Sequence, residues 1–217
     1  YLVPKLTGGA NGGRLRLVDQ PPVLYHASAP DLEERVLEGL EDYRESLSHE
    51  RRVLLDRYQF VDYALKVVGI GSVGTFCMVL LFTSITGDPL FLQVKEARPS
   101  VLEAYAGKSA HGNHGQRVVV GQQFLQAASD VFLGWVQGGG TRDFYLRQLR
   151  DMKYSAAIEE MLLPGLLAYA ELCAWTLAKA HARSGDRIAI AAYLGTGARV
   201  WIIDVGRSYE KACRNFG

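Results

Sequence analysis

Lys66-Val67-Val68-Gly69-Ile70-Gly71-Ser72-Val73-Gly74-Thr75 runs straight into Phe76-Cys77-Met78-Val79-Leu80-Leu81-Phe82, and the fold turns on how this stretch is read. The spacing Gly69-x-Gly71-x-x-Gly74 serves two unrelated ways of approaching phosphate. In a dinucleotide site a strand precedes the loop, a helix opens at its last glycine, and an acid follows about 20 residues on. In the other arrangement the loop bridges two antiparallel strands and a third strand brings a lysine to the phosphates. Residues 76–82 are apolar and aromatic, and they end in a turn broken by Gly87-Asp88-Pro89. That composition predicts a strand and a poor start for a crossover helix. Leu90-Phe91-Leu92-Gln93-Val94-Lys95 reads as the next strand, so the two form a hairpin with the glycine loop ahead of it.

Lys95 closes that strand, 21 residues after Gly74. Glycines let a backbone come close to anionic oxygens because no Cβ intervenes, and a lysine adds a compact positive charge. Gly69, Gly71, Ser72, Gly74 and Lys95 are therefore the expected cofactor-binding residues, with ATP and Mg²⁺ as the expected cofactors. A kinase-type lysine also wants a glutamate from the following helix. The helix expected over residues 116–128 has no acid between Gln116 and Gln126, and Glu96, next to Lys95 on a strand, points to the other face.

Outward from this stretch, residues 1–58 form an N-terminal loop and helical segment. Arg14-Leu15-Arg16-Leu17-Val18 alternates as a short strand, and Pro21-Pro22 ends it. Asp31 with Glu34 has capping-box spacing, and Leu32, Val36, Leu40 and Tyr43 recur at helical intervals. Residues 59–153 form the sheet with the glycine loop and one helix, closed by a second hairpin over residues 131–136 and 143–149. Residues 154–217 are a helical segment and tail. A long helix is expected over residues 163–182, with Leu166, Ala170, Cys173, Leu177 and His181 as its apolar stripe, and a last strand over 199–203. The order lacks βαβ alternation, so the class is α+β. With its loop and lysine, the sheet is a partial protein-kinase-like one followed by a helical region.

Further candidates lie beyond the sheet. His181-Ala182-Arg183-Ser184-Gly185-Asp186 follows the long helix, where kinase-like folds keep a His-x-Asp turn with the catalytic base. Asp186 is the catalytic candidate with Lys95, although its interval from His181 is five residues rather than two. Asp204-Val205-Gly206 resembles an Asp-Gly metal signature, which makes Asp204 the metal candidate. His111 and His114 lack further ligands nearby, whereas zinc wants three or four.

Lys and Arg number 24 against 23 Asp and Glu, a net charge of +1, which gives no bulk drive toward nucleic acid or an anionic membrane. Three cysteines, an odd number without close pairs, argue against a disulfide scaffold, so a cytoplasmic setting is expected. Cys77 and Cys173 lie in apolar runs and are expected to be buried. The apolar stretch 161–182 contains Pro164, Glu171, Lys179 and His181, which speaks against a membrane span.

The stretch at residues 66–75, together with Asp88-Pro89-Leu90-Phe91-Leu92-Gln93-Val94-Lys95-Glu96-Ala97, His114-Gly115-Gln116-Arg117-Val118, Phe132-Leu133-Gly134-Trp135, Phe144-Tyr145-Leu146-Arg147-Gln148-Leu149 and Ala180-His181-Ala182-Arg183-Ser184-Gly185-Asp186, closely resembles the bacterial domain-of-unknown-function family 2252 over residues 15–194. The resemblance implies a relation to protein-kinase-like and aminoglycoside-phosphotransferase-like proteins. It also implies that this chain matches the C-terminal half of longer relatives, whose first half carries motifs resembling a catalytic loop and metal-binding acids. Two departures are expected. Val120 stands where relatives usually have Glu, and residues 196–217 do not look like the family.

The leading expectation is a nucleotide-binding core of an ATP-dependent phosphotransferase, inactive as this isolated chain and acting on an unknown small-molecule or protein acceptor. The missing catalytic half is an expected partner. The alternatives are a non-catalytic binding or scaffold protein of the same fold and a NAD-binding oxidoreductase, the last requiring residues 76–82 to be helical.

Overall fold

The computed structural model describes residues 6–9, 15–27, 29–67, 74–136, 142–149 and 156–194. The chain divides into two compact units, residues 1–120 with 130–153, and residues 121–129 with 154–217.

In the first unit β1 (Thr7–Gly9) and β2 (Leu15–Leu17) form a small hairpin, followed by β3 (Leu24–Tyr25). Helices α1 (Leu32–Ser46) and α2 (His49–Leu55) lead into β4 (Tyr58–Lys66), β5 (Cys77–Ser84) and β6 (Pro89–Ala97). A short helix α3 (Glu103–Ala106) follows β6. Then come α4 (His114–Leu125), whose residues from Gly121 on belong to the second unit, β7 (Gly134–Val136) and β8 (Asp143–Gln148). Among the described residues the main sheet has six antiparallel strands in the order β3-β4-β5-β6-β8-β7. The α+β class and both predicted hairpins are therefore present.

Side chains alternate across a strand, so the sheet has two faces with different covers. On one, Met78, Leu80, Phe82, Leu90, Leu92, Val136 and Leu146 pack with Tyr43, Leu47 and Leu55 of the helical region. On the other, Ala64, Val79, Leu81 and Phe91 pack with Leu6, Leu17 and Leu24. Burial from both sides explains why residues 77–82 read as a continuous apolar run. In β4 the pairing shifts between Phe60 and Asp62. The extra residue sets which β4 side chains share a face with β5 beyond that point.

Helix α1 buries the stripe predicted for it. Tyr43 is fully buried, and its hydroxyl donates to the Phe132 carbonyl at 2.6 Å. The predicted capping box is not made. Asp31 has φ −102° and ψ 5°, outside the extended conformation of an N-cap, and makes no side-chain cap bond. Helix α4 begins in close contact with β8, where a Cβ on Gly115 would lie 2.1 Å from the Phe144 carbonyl oxygen. Asn113 caps this turn by accepting the Gln116 N–H at 2.8 Å, and Asp143 accepts the His114 N–H at 2.8 Å.

The second unit contains α5 (Leu163–Ser184) and α6 (Arg187–Leu194), with Pro164 tolerated in the first turn of α5. Its buried positions are Ala174 and Ala178, while Cys173 and Leu177 are exposed. The expected stripe is corrected by one position. From Ala170 the inward face continues by four residues to Ala174, not by three to Cys173, and both steps fit a period of 3.6. The strand expected over residues 199–203 lies outside the described residues.

Candidate functional site

Strand β4 ends at Lys66, β5 begins at Cys77, and the two are antiparallel neighbours with Leu65 opposite Met78. The glycine-bearing segment thus leaves one strand and returns in the next. Gly69, Gly71 and Ser72 lie outside the described residues. Gly74 is described, with φ +78°, the left-handed region that glycine occupies without strain. A dinucleotide fingerprint needs a helix opening here, and a strand follows instead, so that geometric requirement is not met.

Two residues fasten the returning end of this segment. The Glu96 carboxylate accepts the Phe76 N–H at 2.8 Å and the Arg98 Nε–H at 2.8 Å. Arg98 also donates to the Gly74 carbonyl. Burial pushes the Glu96 carboxyl up, but the Arg98 and Phe76 hydrogen bonds outweigh it and hold the group below the usual range.

Lys95 lies in β6 opposite Cys77 on one side and Tyr145 on the other, half-buried. Glu96, its neighbour in sequence, takes the other face, as strand alternation predicts. Among the described residues no carboxylate pairs with Lys95, and α4 carries no acid from His114 to Leu125. On the Lys95 face stand Lys66, Cys77, Gln93, Tyr145 and Arg147. Gln93 is buried and links two of them, donating to Cys77 Sγ at 3.4 Å and accepting from Arg147 at 3.2 and 3.3 Å. Burial raises the Cys77 thiol above its usual value, while the Gln93 hydrogen bond and then the charges of Lys95, Lys66 and Arg147 draw it back. Burial likewise raises the Tyr145 phenol.

Among the described residues of the sheet, two carboxylates share this face, and both are engaged elsewhere. Asp62 is buried four residues back along β4 and receives the Leu17 N–H at 2.9 Å, with His26 Nε2 at 3.2 Å and Arg16 at 3.7 Å. Asp143 is taken by His114 and by the Asn113 amide at 3.1 Å. On the opposite face a groove of about 800 Å³ lies between α1 and the sheet, lined by Val36, Met78, Leu80 and Phe144 among others.

Asp186 belongs to the second unit. Its Oδ1 accepts the N–H groups of Ile188 and Ala189, both at 2.9 Å, and so caps α6. Asp204 lies outside the described residues. Among the described residues no group of three His, Cys, Asp or Glu side chains is placed to hold a metal ion, and no helix is long and apolar enough to cross a membrane. Sequence reasoning did not place Lys66 or Arg147 beside Lys95, and it missed the Glu96–Arg98 fastening. Alternation shows which neighbours share a face within one strand, but only the pairing register across β4, β5, β6 and β8 brings Lys66, Lys95 and Arg147 together.

The chain belongs to the family described as an uncharacterized protein conserved in bacteria (DUF2252), whose family model matches residues 1–214. The match continues past Leu194 and overturns the expectation that residues 196–217 depart from the family. No curated protein and no solved structure matches the chain.

Proposed function

We propose that the first unit is the nucleotide-gripping core of an ATP-dependent phosphotransferase of protein-kinase-like type. In this reading the segment from Gly69 through Gly74 covers the phosphates, Ser72 is within its reach, and Lys95 positions the phosphate oxygens. Mg²⁺ would neutralise the chain's charge, with Asp204 as the candidate ligand, and Asp186 would serve as the base toward an acceptor hydroxyl. One observation carries the reading. A half-buried lysine without a carboxylate partner among the described residues stands in the third strand of the glycine-loop sheet, opposite the first residue of the strand that follows the loop. The test is an ATP titration with and without Mg²⁺, comparing the wild type with Lys95→Ala. The expected outcome is saturable binding that Lys95→Ala weakens at least tenfold. No binding, or equal affinity for the two proteins, overturns it.

A second reading, nucleotide binding without catalysis, is favoured by Val120, which stands in α4 where a lysine-pairing acid is expected. ADP release by the ATP-saturated chain separates the two. Turnover supports phosphotransfer chemistry, and Lys95-dependent binding without turnover supports the second reading.

A further inference from the structure

We infer that Lys66 and Arg147 join Lys95 in a three-cation cradle on one sheet face, shaped for a chain of adjacent phosphates rather than for a single anion. The inference rests on the phosphate reading of the same face and names residues that the glycine-loop pattern does not contain.

Cross-strand register does the assembling. Cys77 pairs with Lys95, Gln93 with Arg147, and Lys66 ends β4 one residue beyond Leu65, the partner of Met78. Three neighbouring strands spaced about 4.8 Å apart therefore carry Lys66, Cys77 and Lys95 in one row, with Arg147 one row behind on the fourth strand. All three cations act electrostatically on the Cys77 thiol between them. The β1–β2 hairpin packs its leucines on the other end of this face, over Ala64, Val79, Leu81 and Phe91. Lys66, Lys95 and Arg147 remain half-buried. Among the described residues the acids on this face are spoken for, Asp62 by Leu17, His26 and Arg16, and Asp143 by His114 and Asn113. Three like charges on one partly desolvated surface repel one another, and a polyanion relieves that repulsion more than a monoanion can. Arg147 is held by Gln93 with its guanidinium still able to donate, whereas the two lysines reach on flexible stems.

The experiment is calorimetric titration of the full chain with inorganic tripolyphosphate, pyrophosphate, orthophosphate and ATP. The variants are Lys66→Gln, Arg147→Gln, Arg147→Lys and Lys95→Ala, with Arg57→Gln as an exposed control and thermal melts to verify folding. Affinity is expected to rise at least tenfold from orthophosphate to tripolyphosphate. Each charge-removing change in the cradle should weaken tripolyphosphate about five- to tenfold, with Arg57→Gln unchanged and Arg147→Lys weakened less than Arg147→Gln. If the folded wild type ignores tripolyphosphate, the cradle is wrong. If Lys95→Ala loses ATP while Lys66→Gln and Arg147→Gln bind like the wild type, the cradle falls and the nucleotide reading stands. If tripolyphosphate binds through all three cations but ATP does not bind, the cradle stands and the nucleotide reading falls.

Discussion

Replacing Glu96 with Ala tests whether β6 holds the returning end of the glycine segment at Gly74 and Phe76. The carboxylate accepts two hydrogen bonds of 2.8 Å, one from the Phe76 N–H and one from Arg98. Its side chain is 7% exposed, whereas Arg98 is 54% exposed. A hydrogen bond to a charged group contributes about 1.5–3 kcal/mol, and a solvent-screened ion pair less than about 1 kcal/mol. The Phe76 bond therefore dominates, and Glu96→Ala should cost about 2–3 kcal/mol at neutral pH. Glu96→Gln keeps an acceptor without the charge and should cost roughly 1 kcal/mol. The folded-state pKa lies below the ordinary value of 4.5. The contribution is therefore complete above about 4.5 and is lost as pH falls through the depressed folded value. Urea unfolding of wild type and variant at neutral and acid pH measures both effects. Equal stability at neutral pH, or a difference that does not shrink in acid, would refute the reasoning. On the proposed nucleotide reading, the same variant should also weaken ATP, since the returning end of the glycine segment at Gly74 and Phe76 loses its fastening.

Gly115 and Gly121 share α4 but should respond to alanine with opposite signs. Gly121→Ala meets open space and should stabilise by roughly 0.5–1 kcal/mol, whereas Gly115→Ala drives a Cβ to 2.1 Å from the Phe144 carbonyl oxygen and should cost about 2 kcal/mol or more, read as opposite shifts in Tm. Tyr43→Phe removes the donor to the Phe132 carbonyl in a fully buried site, and chemical denaturation should show a loss of about 1–2 kcal/mol. Alkylation of the native protein near neutral pH should modify exposed Cys173 and spare Cys77 until unfolding, because Cys77 is buried and its thiol pKa is raised; equal rates at the two would contradict the packing.

Much of the sheet is legible in the sequence, because its signals are local. Short apolar runs, the Gly87-Asp88-Pro89 breaker and the alternation that turns Glu96 away from Lys95 are properties of short segments. Where two local solutions cost about the same, the sequence does not choose. The inward path along α5 could step from Ala170 to Cys173 or to Ala174, and packing selected Ala174. Asp31 had the spacing of a cap, but the chain enters α1 at a backbone angle that leaves its side chain unused. The close approach of Gly115 to β8 left no local trace, since a glycine near a helix start has several ordinary explanations.

The sequence by itself determined the α+β class, a glycine-bearing segment between two strands, a lysine in the third, and membership in a bacterial family; the strand runs two residues past that lysine, to Ala97. Tertiary structure alone decided what surrounds that lysine. Lys66, Cys77, Gln93, Lys95 and Arg147 come from four strands up to 81 residues apart, and the pairing register fixes which of them meet. A one-residue slip would turn a strand's side chains to the opposite face and disperse the cluster. The burial of β5 on both faces helps hold the register, because a one-residue slip would exchange the side chains that fill the two cores.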